Sequence, residues 1–144
     1  MTQLTLNFDA PKFGRPVGFN PDAPNCGVTA VAIAAGVTFQ VAWDILKKIG
    51  NRNGNWKGVT YVYQQVGALK ELGVKYQHNY IKGAPTLQQW VQWETKPGVT
   101  YMVVTTGHVQ VVKDGKVVDQ TTEPVHYTKF WGKRKKVREV IEIL

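Results

Sequence analysis

Three residues of this chain have side chains of the kinds that combine into a nucleophilic triad: a cysteine, a histidine and an aspartate. Cys26 is the only cysteine, and it directly precedes an apolar run, residues 28–35, that predicts a helix buried on every side. A thiol at a helix N-terminus faces unpaired backbone N–H groups and the positive end of the helix dipole, which favour the thiolate. Taken alone, a single cysteine is more commonly a small buried hydrophobe.

A β-hairpin places the histidine and the aspartate on one face. Asp114-Gly115 is a favoured two-residue turn, and it predicts that Gln110 lies opposite Asp119. His108 and Asp119 are then diagonal neighbours, about 7 Å apart at the backbone. An imidazole held by a carboxylate is the orienting half of a nucleophilic triad. Gln110 shares this face and is a candidate for contact with a substrate.

Other histidine roles compete with this interpretation. His108 has a simpler explanation as a hydrogen-bonded histidine at a strand end, and Asp119 as a turn residue. His78 lies on the apolar side of a predicted strand, which is typical of a core histidine, and His126 follows Pro124 in a predicted loop without a role. The histidines and the cysteine are scattered, without the short spacing of metal ligands, so we expect no metal site and no cofactor.

The elements that position these residues are marked by local signals. Gly36 ends the cysteine helix, and Thr38 caps a second helix that ends at Gly50. A third helix is expected over residues 60–72 and a half-buried strand over 74–81. Thr86 opens a short helix through a capping box. Strands are expected at residues 99–105, 108–113, 116–121 and 137–144, so the class is α+β, with helices packed on a C-terminal antiparallel sheet.

A polar, glycine-rich loop lies between the second and third helices. It covers residues 51–58 and carries Trp56, which looks exposed in the sequence. Loops of this kind often form one wall of a cleft. Trp56 is therefore a second candidate for contact with a substrate.

Length and composition indicate one domain, residues 1–144, with an arm or edge strand at 1–18. A single cysteine excludes an internal disulfide, which suits a reducing compartment. No apolar run approaches the length of a membrane span, and residues 1–9 lack the order of a secretory signal. We therefore expect a cytoplasmic protein without membrane partners, located in the host cytoplasm or the virion if a phage encodes it.

The net charge of +8 is concentrated near the C-terminus. A basic segment, residues 129–138, contains six cations and no acid. Within it, four neighbouring cations are candidates for contact with nucleic acid or another polyanion: Lys133, Arg134, Lys135 and Lys136. A solvated basic turn is the commoner explanation of such a run, and no nucleic-acid-binding motif accompanies it.

Two stretches of the chain resemble the papain-like cysteine peptidases. They are Asn25-Cys26-Gly27-Val28-Thr29-Ala30 and Thr106-Gly107-His108-Val109-Gln110-Val111-Val112, the latter followed by Val117-Val118-Asp119. From position 26 to position 108 the separation is 82 residues, which is similar to the compact peptidases that process double-glycine leader peptides. It is also similar to small papain-like proteins of bacteria and bacteriophages. The resemblance covers roughly residues 20–121.

The resemblance implies roles for individual residues. Cys26 would be the nucleophile, His108 the general base and acid, and Asp119 the residue that orients His108. Asn20 occupies the place of the side-chain oxyanion donor, where the family more often has glutamine, and the backbone N–H of Cys26 would be the second donor. The implied substrate is a peptide or another amide.

Two functions of different classes remain open from the sequence. The first is a cysteine-dependent amide-bond hydrolase, either a peptidase or a cell-wall amidase. The second is a papain-like scaffold without catalysis that serves as an interaction protein, a nucleic-acid-contacting protein or a virion component. The basic segment and the aromatic residues favour the second.

Overall fold

The computed structural model describes residues 24–144. The expected arm at 1–18 and Asn20 lie outside the described residues. Four α-helices, one 3-10 helix and six strands follow in the order α1 (Cys26–Ala35), α2 (Phe39–Ile49), α3 (Val62–Glu71), β1 (Tyr76–Tyr80), α4 (Leu87–Glu94), β2 (Thr100–Thr105), β3 (His108–Lys113), β4 (Lys116–Asp119), β5 (Thr122–His126), the 3-10 helix (Tyr127–Lys129) and β6 (Val137–Ile143).

The strands form one antiparallel sheet in the order β1-β6-β2-β3-β4-β5. Alternate residues along β2 and β3 face opposite sides, as strand geometry requires. Met102 and Val111 pack against α1, α2 and α3, whereas Val103 and Val112 pack against α4. The sheet is therefore buried on both faces, and the predicted α+β class is confirmed.

Helix α1 lies at the centre of the larger apolar cluster. Residues 27–35 are all buried, as the apolar run predicts. The helix ends where Gly36 adopts a left-handed conformation with a φ of 70° and donates its backbone N–H to the last turn. The first residue of this buried helix is Cys26, so packing of α1 fixes the position of the thiol.

The capping and turn residues predicted from the sequence are confirmed at two helix starts and at the β3–β4 turn. The Thr38 side chain accepts the Val41 N–H, and Thr86 forms the predicted capping box with Gln89. Asp114 and Gly115 both have positive φ angles, 50° and 77°, as a two-residue hairpin turn requires.

The C-terminal part of the hairpin differs from the prediction. Strand β4 ends at Asp119 rather than at 121, and residues 122–126 form a further strand, β5. The expected loop at His126 is therefore wrong. Pro124 argues against a strand in the sequence, but β5 is the edge of the sheet, where a proline costs no ladder hydrogen bond.

Among residues 24–144, no single helix has the length and apolar character to cross a membrane. Helices α1 and α2 meet those two criteria only when they are taken together, and they are bent by 118° at the break between them.

Two glycine-to-alanine substitutions are expected to change stability in opposite directions. A Cβ at Gly67, inside α3, would meet only Ile49 Cδ1 at 3.8 Å, so Gly67→Ala should stabilise the fold by about 0.5–1 kcal/mol. A Cβ at Gly27 would come within 2.0 Å of Thr60 Oγ1 and 2.7 Å of Gln65 Nε2. Gly27→Ala should therefore cost about 1–3 kcal/mol.

Urea denaturation followed by circular dichroism measures both free energies of unfolding. A Gly27→Ala variant as stable as the parent protein would contradict the close packing of α1 against Thr60 and Gln65.

Candidate active site

The thiol of Cys26 lies close enough to the imidazole of His108 for each group to shift the pKa of the other. The two side chains come from the first residue of α1 and the first residue of β3. The backbone N–H groups of Gly27 and Val109 lie near the sulfur and lower the pKa of the thiol. Cys26 is half-buried.

The other nitrogen of the His108 ring is held by Asp119. His108 Nε2 lies 2.9 Å from Asp119 Oδ2, and the side chains are 7% and 0% exposed. Because Nε2 bonds the carboxylate, Nδ1 is the ring nitrogen left for the thiol. The shared hairpin face predicted for His108 and Asp119 is confirmed, and α1 brings Cys26 to the same place.

Asp119 accepts hydrogen bonds on both carboxylate oxygens. Its Oδ1 accepts from Thr121 Oγ1 at 2.7 Å, from the Thr121 N–H at 2.8 Å and from the Thr122 N–H at 3.1 Å. Its Oδ2 accepts from Trp131 Nε1 at 3.0 Å in addition to His108. Asp119 is thus both a turn residue between β4 and β5 and the partner of His108.

The pKa values of Cys26, His108 and Asp119 are each shifted in the direction that favours the charged form of the side chain. Burial alone raises the pKa of Cys26, but hydrogen bonding and charge attraction from His108 outweigh it, so that pKa is lowered. Burial alone lowers the pKa of His108, but the hydrogen bonds with Asp119 and Cys26 raise it to about 9. Burial likewise raises the pKa of Asp119, and the hydrogen bonds from His108 and Thr121 outweigh this and lower it. These directions favour a thiolate–imidazolium pair beside a carboxylate.

Trp131 is a site residue that sequence reasoning missed. Besides donating to Asp119, its ring meets the His108 ring edge-on, with centroids 5.0 Å apart. The one sequence signal was an aromatic residue within the basic segment. Nothing in the sequence linked Trp131 to a histidine on another strand.

Two expected substrate contacts have other surroundings. Gln110 lies on the same face as His108 but is completely buried, and its side-chain amide donates to the Val103 carbonyl. It therefore offers no surface to a substrate. Trp56 is half-buried, packs at a tilt against Trp43 with ring centroids 4.5 Å apart, and donates its indole N–H to the Val59 carbonyl at 2.9 Å. Most of this side chain therefore serves packing.

The glycine-rich loop nevertheless borders the start of α1. A Cβ at Gly58 would lie 2.7 Å from the Cβ of Asn25, the residue before Cys26. Thr60, just beyond the loop, packs closely on Gly27. The loop therefore contacts the residue that precedes Cys26, and its role as a wall of a cleft stays a prediction.

The basic segment also borders the site, through Trp131 and Thr106. Lys135 Nζ lies 5.5 Å from the centroid of the Trp131 ring and 3.3 Å from the Thr106 carbonyl. Arg138 Nε lies 3.2 Å from Thr106 Oγ1. Thr106 belongs to the turn that leads into His108. Of the other candidate cations, Lys133 donates to the Thr128 carbonyl at 2.8 Å, and Arg134 and Lys136 are exposed.

His78 is neither fully buried nor part of the triad. Its Nε2 lies 2.7 Å from Glu139 Oε1. This pair, with Tyr63 and Tyr80, lines a cavity of about 500 Å³ between α3 and the β1 edge of the sheet. His78 does lie on the predicted side of its strand. It is only half-buried, however, so the expectation of a core histidine is wrong in that respect.

Within residues 24–144, no three histidine, cysteine, aspartate or glutamate side chains are grouped as metal ligands. No model of a known protein family matches the chain, and no curated protein sequence matches it significantly. The assignment of chemistry therefore depends on the geometry above.

Trp131→Phe tests the hydrogen bond to Asp119. The substitution keeps an aromatic ring beside His108 but removes the indole donor, so we expect it to cost about 1–2 kcal/mol at pH 7. Because that donor favours the ionised carboxylate, the loss should be full above the ordinary pKa of an aspartate. It should shrink as the pH falls through the lowered pKa of Asp119.

Trp93→Phe is the matched control, since Trp93 is 66% exposed on α4. Urea denaturation of both variants between neutral and acidic pH measures the effect. Equal stabilities of the two variants at pH 7 would show that the indole N–H contributes nothing.

Proposed function

We propose that this chain is a papain-like, cysteine-dependent hydrolase of amide bonds. The observation that carries the proposal is the meeting of the Cys26 thiol with the His108 ring, whose Nε2 is hydrogen-bonded to the buried carboxylate of Asp119. An ion pair of this kind supplies a nucleophile and a proton donor in the same place.

In the proposed reaction the Cys26 thiolate attacks the carbonyl carbon of the amide. The C–S bond forms as the carbonyl π electrons move to oxygen, and the backbone N–H of Cys26 stabilises the oxyanion. Asn20, outside the described residues, is the proposed side-chain donor. The tetrahedral intermediate collapses, the C–N bond breaks, and His108 protonates the leaving amine.

The second half of the reaction releases the acyl group. Neutral His108 removes a proton from water, the resulting hydroxide attacks the thioester, and the C–S bond breaks to give a carboxylic acid and the thiolate. Asp119 keeps the ring oriented throughout and stabilises the imidazolium that forms when His108 takes the proton from water. The pKa of about 9 for His108 makes the imidazolium available to protonate the amine at neutral pH.

The pH dependence of thiol alkylation tests the ion pair. In the parent protein, iodoacetamide should still label Cys26 rapidly at pH 6, because the lowered thiol pKa keeps the thiolate populated. In His108→Ala only burial and backbone contacts remain, so the thiol pKa should rise. We expect the labelling rate at pH 6 to fall at least about tenfold, which corresponds to one pKa unit.

His126→Ala is the matched control, because His126 is exposed on β5 and, among residues 24–144, its ring hydrogen-bonds Thr128 and not the triad. Mass spectrometry follows the labelling, since the chain has one thiol. Equally slow labelling of the parent and both variants at pH 6 would refute the proposal.

Peptide hydrolysis provides the functional test. The rate should rise with the fraction of thiolate and fall above about pH 9 as His108 loses its proton.

The alternative, a scaffold without catalysis, is favoured by the basic segment. It predicts that Cys26→Ala leaves partner binding unchanged and that neither the parent protein nor the variant cleaves any amide.

A further inference from the structure

The basic segment, residues 129–138, is joined to the candidate active site rather than separate from it. Trp131 touches both His108 and Asp119, and Lys135 and Arg138 both bond the turn before His108. The backbone N–H of Thr106 also donates to the Lys136 carbonyl at 3.2 Å. Two of the segment's six cations, Lys135 and Arg138, thus border the turn that leads into His108.

Among residues 24–144, these cations have no ion-pair partner. The segment itself contains no aspartate or glutamate. Within the part of the chain that the structure describes, no carboxylate lies within ion-pair distance of any of its six cations. A half-exposed Trp131, at 55%, lies among them with Lys135 above its ring. The surface therefore combines a positive potential with an aromatic platform beside a nucleophile.

We infer that the basic segment is the substrate-recognition rim of this active site and that it selects polypeptides with acidic residues near the bond to be cleaved. The inference rests on the proposed function. A row of cations at the mouth of a site concentrates anionic partners and accelerates their approach. An acidic peptide bound here would have its amide bonds beside Cys26, which attacks a carbonyl carbon and becomes acylated as the amine leaves.

Nucleic acid fits the same charges less well. A phosphate backbone lying along residues 133–138 would cover the turn before His108 and the approach to Cys26. It would present no carbonyl that a thiolate could convert into a thioester. The occupant that uses both the cations and the nucleophile is a polypeptide.

The local potential is measured by comparing two alkylating reagents. Iodoacetate carries one negative charge and iodoacetamide none. The rate of Cys26 alkylation by iodoacetate divided by its rate with iodoacetamide therefore reports the electrostatic potential at the sulfur. Arg134 and Lys136 are exposed, and the Arg134→Gln/Lys136→Gln variant removes two of the six cations. At about 50 mM ionic strength we expect this variant to lower the ratio about twofold.

Lys75→Gln/Lys116→Gln is the matched control. Both lysines are exposed, and they lie at the end of the sheet away from His108, which is five residues or about 16 Å from Lys113 along β3. This variant loses the same charge, and its ratio should stay close to the parent value. Equal ratios in all three proteins would overturn the inference.

Protection of Cys26 from iodoacetamide identifies the occupant. The probes are a twelve-residue peptide containing several glutamates, the same peptide with glutamines, and a single-stranded oligonucleotide of equal charge. We expect the glutamate peptide to protect at several-fold lower concentration than the glutamine peptide, and this difference to disappear in Arg134→Gln/Lys136→Gln. Stronger protection by the oligonucleotide, or equal protection by the two peptides, would refute an acidic polypeptide as the occupant.

These measurements separate the inference from the proposed function. A charge-dependent reagent ratio and selective protection, with no hydrolysis of any peptide, would refute the hydrolase and retain an acidic-peptide-binding rim. Hydrolysis with no preference between the glutamate and glutamine peptides would retain the hydrolase and refute the rim.

Discussion

A buried negative charge on Asp119 is the constraint on which the candidate site depends. A carboxylate without exposed surface is costly unless donors surround it. Here those donors come from three places: the start of β3, the β4–β5 turn and the segment before β6. The hydrogen bonds to the Asp119 carboxylate therefore hold together the parts of the chain that surround His108.

The chemistry of the thiol and imidazole follows from the same balance between burial and pairing. Burial opposes a charge on Cys26 and equally on His108. Together the two charges compensate each other, and the low dielectric surroundings strengthen their attraction. The mutual pKa shifts of the thiol and the imidazole therefore exist only while α1 and β3 stay packed, which makes the acidity of Cys26 a property of the whole fold.

The same packing changes the meaning of the basic segment. In the sequence these cations follow an aromatic pair, Phe130 and Trp131, and look like a solvated turn. Phe130 is buried in the cluster beneath α4, and this anchors Trp131 beside His108. Lys135 and the backbone of Lys136 then contact Thr106, in the turn that leads into His108. Burial of Phe130 thus places part of the basic segment at the border of the site.

The sequence by itself determined the features that depend on near neighbours. Apolar residues 28–35 required a buried helix beginning at the cysteine, and Asp114-Gly115 set the hairpin register that places His108 beside Asp119. These depend on backbone sterics and hydrogen bonds within a few residues. Tertiary structure alone decided that the thiol reaches the imidazole, that Trp131 holds Asp119, that Gln110 is inaccessible and that β5 exists. Each of these depends on which distant surfaces pack together, since the free energy of such contacts belongs to the assembled core and not to any short stretch of chain.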